Sequence, residues 1–215
     1  MSAPTVLVVA KAPVPGLAKT RIAATIGDEP AARLAAAALL DTLTTATALD
    51  WPVVVAMTGD LDAAVRRDEI AEAVRPFRVL PQRGASFGER LAHAHLDADD
   101  GHGVVQVGMD TPQLLVSDYL DAGRTVELGT RVLGPAADGG WWLLGLPDPR
   151  EAGVLPDVSM SRDDTADLTE AALGGDVVRL RTVLDMDCWD DAVRIAEEVP
   201  TSQLADAVRL VGALR

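Results

Sequence analysis

The apolar positions of the chain fall in short runs separated by longer mixed segments. Thr5–Ala10 (T-V-L-V-V-A) is continuously apolar and predicts a buried strand. The Ala/Leu-rich segment from Glu29 to Leu49 has no Gly or Pro after Pro30 and predicts a helix, with Pro30 at a first helical position and Asp28 as its cap. Further strands are predicted at 52–57, 77–80, 103–107, 131–133, 141–146 and 177–181. Further helices are predicted at 61–74, 87–96, 117–128, 162–173, 188–198 and Ser202 to Leu214. This alternation predicts an α/β fold with a mostly parallel central sheet and helices on both faces. In such sheets ligands bind beyond the carboxyl ends of the strands. The loops after Ala10, Val107, Leu133 and Leu184 are therefore where a site is expected.

Length and composition narrow this picture. The 215 residues suit one large domain, and a single domain over 1–215 is expected. Aromatics are only 3% of the chain, so Val, Leu, Ile and Ala must fill the core. No apolar run approaches the roughly 18 residues that span a bilayer. Thr5–Ala10 is short for a secretory signal and has no basic residue ahead of it. Cys188 is the single cysteine, which excludes an intrachain disulfide. A cytoplasmic location is expected. The net charge of −14 disfavours nucleic acid and anionic membrane as partners. Yet residues 1–27 hold no Asp or Glu and carry Lys11, Lys19 and Arg21. That window is either a chance of composition or a local pocket for an anionic ligand.

Four segments can carry chemistry. In K-A-P-V-P-G-L-A-K-T-R, Lys11 to Arg21, Pro13 and Pro15 stiffen the loop and Gly16 lets backbone approach a ligand. Lys19 and Arg21 are suited to phosphate oxygens, and the alternative is a rigid surface turn. Asp110 in G-M-D-T-P-Q-L is placed either for a hard cation or as a helix cap. G-P-A-A-D-G-G-W-W, from Gly134, pairs Asp138 with Gly139 and Gly140 in what is either a ligand-facing turn or an ordinary hairpin. Trp141 and Trp142 then face opposite sides of a strand. In L-D-M-D-C-W-D-D, Asp185 and Asp187 share a face if extended. Asp190 and Asp191 suit a helix first turn, and Asp187 is the better candidate for a second metal ligand. His93 and His95, two apart on a helix, read as surface residues. No nucleophile elbow is present, which argues against a Ser–His–Asp hydrolase.

Together these segments resemble the bacterial GT-A-fold glycosyltransferase-like family within the nucleotide-diphospho-sugar transferases. The family's K-x-P-x-x-G-x-x-K-T-R-L opening is matched from Lys11, with Ile22 at its last place. Its Gln followed by L-G-E-R is matched by Gln82 and by Phe87-Gly88-Glu89-Arg90. G-x-D-x-P-x-L is matched from Gly108, G-P-A-x-D-G-G-Y from Gly134 with Trp141 for Tyr, and D-x-D at Asp185 and Asp187. The family's W-S-T is replaced by Val158-Ser159-Met160-Ser161. The opening loop is also similar to that of the 2-phospholactate guanylyltransferases.

The resemblance implies a Rossmann-like GT-A fold and a metal-dependent transferase. It implies that Asp110 and Asp187 bind one Mg²⁺ or Mn²⁺. Lys19, Arg21 and Asp138 would be catalytic, and Lys11, Pro13, Gly16, Gln82, Gly88, Arg90, Gly139 and Gly140 would bind the nucleotide. The expected partners are a nucleotide or nucleotide sugar and a small-molecule acceptor, with a homodimer left open. Three readings follow: nucleotidyl transfer from a triphosphate to a phosphorylated metabolite, glycosyl transfer from a nucleotide sugar, and a nucleotide-binding regulator without turnover. The first is preferred, because the basic loop suits a triphosphate and a phosphate acceptor needs no general base.

Overall fold

A computed structural model describes residues 3–213; Leu214, the predicted end of the last helix, lies outside them. Its centre is a seven-stranded sheet. The strands are β1 (Thr5–Lys11), β2 (Val53–Thr58), β3 (Arg78–Pro81), β4 (Val104–Val107), β5 (Arg131–Pro135), β6 (Trp141–Leu146) and β7 (Val177–Arg179). Their spatial order is β3-β2-β1-β4-β6-β5-β7. Only β6 runs antiparallel to its neighbours β4 and β5, so the sheet is mostly parallel, as the alternation predicts.

Successive residues of β1 feed opposite cores. Val6, Val8 and Ala10 pack with Leu39, Leu43 and Tyr119 on one face. Leu7 and Val9 pack with Leu91, Ala94 and Leu155 on the other. The helices supplying those faces are α2 (Asp28–Thr47) and α5 (Val116–Glu127) on the first, and α4 (Phe87–Ala98) with a run of 3₁₀ turns at Pro149–Asp157 on the second. α2 is buried nearly all round. Ala35, Leu39 and Leu43 meet the sheet, while Ala31, Leu34 and Ala38 meet a third cluster formed by α1 (Thr20–Ile26), α7 (Trp189–Glu198) and α8 (Gln203–Gly212). Its many alanines let this further layer approach closely, and they explain why its sequence lacks an amphipathic stripe.

Several elements differ from the sequence expectation: the 3₁₀ run at Pro149–Asp157 is not among those expected, Gly27 rather than Asp28 caps α2, and three helices change. The short α1 follows immediately on the basic loop, and Gly27 (φ 90°) ends it. The helix expected from Leu61 divides into a 3₁₀ turn at Leu61–Ala63 and α3 (Arg67–Val74). Between them the Val65 N–H donates to the Pro13 carbonyl instead of to a helical partner, and Arg66 takes φ 55°. The helix expected from Arg162 begins three residues later, as α6 (Thr165–Leu173), where the Thr165 hydroxyl accepts from the Arg162 N–H. No described helix is long and apolar enough to cross a membrane.

Candidate active site

Every strand of the parallel part points its carboxyl end at the same edge. A cleft of about 460 Å³ opens there, lined by Lys11, Arg21, Gln82, Arg90, Asp110, Asp138, Gly140, Asp185 and Asp187 among others. A second hollow of about 300 Å³ adjoins it and adds Leu17, Lys19 and Thr20. The far segment reaches this edge through a bridge between Ala136 and Val183, and through the Met186 N–H, which donates to the Asp110 carbonyl at 3.0 Å.

The basic loop faces the acids. Lys19 takes a left-handed conformation (φ 50°) at the start of α1. Its Nζ lies 2.9 Å from Asp110 Oδ2 and also donates to the Met186 carbonyl. Arg21 donates to Asp187 Oδ2 at 2.5 Å. Lys11 Nζ donates to the Leu17 carbonyl at 2.6 Å and closes the loop on itself. The second carboxylate oxygen of Asp110 is buried with no donor.

Three carboxylates, from Asp138, Asp185 and Asp187, each offer an oxygen within 4.8 Å of the others. Burial, then repulsion from Asp138 and Asp187, pushes the Asp185 carboxyl up to about 6. A divalent cation relieves such crowding, and three hard oxygens at this spacing suit Mg²⁺ or Mn²⁺. Asp110, expected to share the metal with Asp187, faces the same cleft but is not one of the three. Asp185, which the sequence reading ranked below Asp187, is one. Its signal was the D-x-D spacing itself.

The remaining candidates divide. Arg90 has its guanidinium 5.4 Å above the Phe87 ring, a buried Nε without an acceptor, and no acidic partner among the described residues. Asp138 accepts from the Gly140 N–H at 2.8 Å, so the turn reading and a cleft-facing acid coexist there. Trp142 enters the core, while Trp141 stays half-buried on the cleft wall. Four residues do not line the cleft. Pro13 is buried and its carbonyl holds Val65. Gly16 turns the exposed part of the loop at φ 76°. At Gly88 an added Cβ would stand 2.2 Å from the Leu155 carbonyl, so this glycine lets α4 pack on the 3₁₀ turns. At Gly139, with φ 90°, a Cβ would stand 2.0 Å from the Asp163 carbonyl.

A family profile described as "Uncharacterized protein conserved in bacteria (DUF2064)" matches residues 39–162, more than half of the chain. The chain belongs to this family. No curated protein matches it. A Desulfovibrio desulfuricans G20 protein, provisionally assigned as a nucleotide-diphospho-sugar transferase, superposes with a TM-score of 0.85 at 27% identity, covering 100% of this chain and 97% of its own. Rv0371c of Mycobacterium tuberculosis H37Rv superposes at 0.61 with 18% identity, covering 91% of this chain and 99% of its own. A manganese complex of that protein superposes at 0.50 with 18% identity, over 90% and 98%. The 4-diphosphocytidyl-2C-methyl-D-erythritol synthase of Anaerococcus prevotii DSM 20548 superposes at 0.57 with 12% identity, over 92% and 99%. The DUF2064 chain thus has the fold of the nucleotide-diphospho-sugar transferase superfamily, matched over its whole length by the first of these.

One residue overturns its sequence reading. His93 is half-buried, its ring at the Arg83 carbonyl, but His95 is fully buried rather than at the surface. Its Nε2 lies 2.9 Å from Gln106 Oε1, and its Nδ1 has no partner. Desolvation, only partly offset by that bond, lowers the ring to about 4. The unfolded chain takes up this proton near pH 6.5, whereas the folded chain resists it down to about 4. Stability is therefore full above pH 6.5 and lost as the pH falls toward 4, by about 3 kcal/mol at most from this group. Urea unfolding at pH 7.0, 5.5 and 4.5 should show this loss. A His95→Gln variant should lose less over the same range. Equal slopes for the two proteins would dismiss His95 as the cause.

Proposed function

We propose that this protein is a metal-dependent nucleotidyltransferase that moves a nucleotidyl group from a nucleoside triphosphate to a small phosphorylated metabolite. The reading rests on one juxtaposition: Lys19 at the start of α1 and Arg21 in its first turn meet Asp110 and Asp187, at the junction of the adjoining hollow with the cleft that gathers Asp138 and Asp185. A triphosphate needs cations along its chain and a carboxylate set for its metal, and both stand here within one cleft.

Asp138, Asp185 and Asp187 are the residues that would hold the ion, with Asp110 beside them. A Mg²⁺ or Mn²⁺ held there would supply positive charge to offset what develops on the phosphate oxygens. Lys19 and Arg21 stabilise the departing pyrophosphate oxygens, Lys19 as a point charge and Arg21 as a fork. Arg90, with no acidic partner among the described residues, is available to an anionic group in the cleft. With Asp138 drawn into the carboxylate set and Asp110 paired with Lys19, no carboxylate among the described cleft residues is left over as a general base. That favours an acceptor whose attacking oxygen is already anionic. Manganese in a fold neighbour and cytidylyl chemistry in another are in keeping with this reading.

A second reading, glycosyl transfer from a nucleotide sugar, draws support from the assignment given to the 27% identical neighbour. The test is pyrophosphate release from each nucleoside triphosphate with Mn²⁺, offered with a panel of phosphorylated acids and sugars. We expect release with one pairing, and stabilisation by about 2.7 kcal/mol from that nucleotide at 100 times its Kd. No release across the panel overturns the reading.

A further inference from the structure

Metal and phosphate chemistry leaves two glutamines of the cleft, Gln106 and Gln82, unused. β4 reads V-V-Q-V, and Gln106 points to the face formed by Leu7, Val104 and Leu144, only 3% exposed. Placing an amide in an apolar layer is unfavourable unless its atoms are bonded. Gln106 Oε1 lies 2.9 Å from His95 Nε2, and burial keeps that ring neutral; Nδ1 has no acceptor beside it, which places the ring proton on Nε2, donating to the amide oxygen. The amide is thereby oriented, since turning it over would either set N–H against N–H or leave a buried ring N–H at Nδ1 without an acceptor. Its nitrogen, left over, has no partner among the described residues and opens on the cleft.

Gln82 is locked in the opposite sense. Its Nε2 donates to the carbonyls of Ala10 and Ala56, both at 2.9 Å, at the ends of β1 and β2. Its Oε1 is the atom left for the cleft. The cleft lining also includes the apolar side chains of Val9, Phe87 and Met160, with the Arg90 guanidinium 5.4 Å above the Phe87 ring.

We propose that Gln106, oriented by His95, is a specificity-determining residue that donates to an acceptor atom on the edge of the nucleobase, while Gln82 Oε1 accepts from a base N–H. This rests on the nucleotide reading above. Hydroxyl groups both donate and accept, so two locked amides would not sort one polyol from another. A heteroaromatic edge has fixed donors and acceptors, and a site built to bond one edge rejects another by leaving its own groups unpaired.

The full-length protein is titrated with ATP, CTP, GTP and UTP in the presence of Mn²⁺, and with inorganic pyrophosphate as the base-free probe. Gln106→Met removes the donor at nearly constant volume, and Gln106→Glu replaces it by an acceptor. We expect Gln106→Met to weaken the preferred nucleotide roughly tenfold, with pyrophosphate affinity unchanged. Gln106→Glu should reorder the four bases. His95→Leu should blur the ranking, because the amide is free to turn, a readout that a purely packing role would not move. If the wild-type protein prefers one base and both Gln106 variants keep its order and strength, this inference falls while the nucleotide reading stands. If pyrophosphate weakens in parallel, or only the acceptor's KM moves, the base assignment is overturned. If none of the four binds the wild-type protein, both readings fall together.

Discussion

Asp187→Asn is expected to abolish Mn²⁺-dependent nucleotide binding and to lower kcat/KM on the order of a thousandfold while leaving the fold intact. Asp187 is the acid common to both arrangements of the site: it belongs to the carboxylate trio and it faces Asp110 across the cleft. Replacing its charge by an amide removes a hard ligand where phosphate charge must be offset, an effect of several kcal/mol, and each 1.4 kcal/mol is tenfold. Its structural contribution is small by comparison. The side chain is 34% exposed and its partner Arg21 is 74% exposed. Such pairs contribute about 0–1 kcal/mol, and removing one of three crowded acids offsets part of even that. Calorimetry with Mn²⁺ and nucleotide, alongside thermal melting, separates the two effects. Asp110→Asn run in parallel tells whether Asp110 ligates directly: a loss equal to that of Asp187→Asn makes it a ligand, and a smaller loss leaves the trio as the set. Undiminished Mn²⁺-nucleotide affinity in Asp187→Asn would sink the metal site altogether.

The sheet was legible because its signal is local. An apolar run such as Thr5–Ala10 buried on both faces, followed by an Ala/Leu helix, states its own burial. The edge of the sheet that holds the cleft follows from parallel topology without any motif. What was not legible depended on distant contacts. Asp185 joins Asp138 and Asp187 because Ala136 bridges Val183, a pairing 47 residues apart that no spacing announces. The spacing of His93 and His95 tells that they diverge, but which one turns inward depends on Gln106, in another element. That glutamine is the polar residue of the apolar strand V-V-Q-V, a signal not taken up in reading the sequence. Gly88 sits in a shared motif and reads as a ligand contact until the Leu155 carbonyl appears beside it. α1 is only seven residues long and lies where a basic loop dominates the reading.

The chemistry itself turns on Lys19. In nucleotidyl transfer, pyrophosphate must leave, and charge builds on the α-phosphate and the departing oxygens. Lys19 Nζ stands at the junction of the first loop, Asp110 and Met186, the place where that charge would be met. Lys19→Ala is therefore expected to lower kcat and kcat/KM together, the pattern of an interaction made mainly in the transition state. One such donor is worth on the order of 3 kcal/mol, about a hundredfold. Because Lys19 also holds the Met186 carbonyl, Lys19→Arg supplies the control: it keeps a cation on the loop and should recover part of kcat. Mn²⁺-nucleotide affinity should change far less than kcat in either variant. If the donor were a nucleotide sugar, the bond broken would lie on the sugar and the diphosphate would leave whole. Asp138 would then matter more than Lys19, as the acid nearest an acceptor hydroxyl, and no pyrophosphate would form. Nucleoside diphosphate released from a nucleotide sugar, with kcat sensitive to Asp138→Asn and indifferent to Lys19→Ala, would replace nucleotidyl by glycosyl transfer and leave the cleft and its acids where they are.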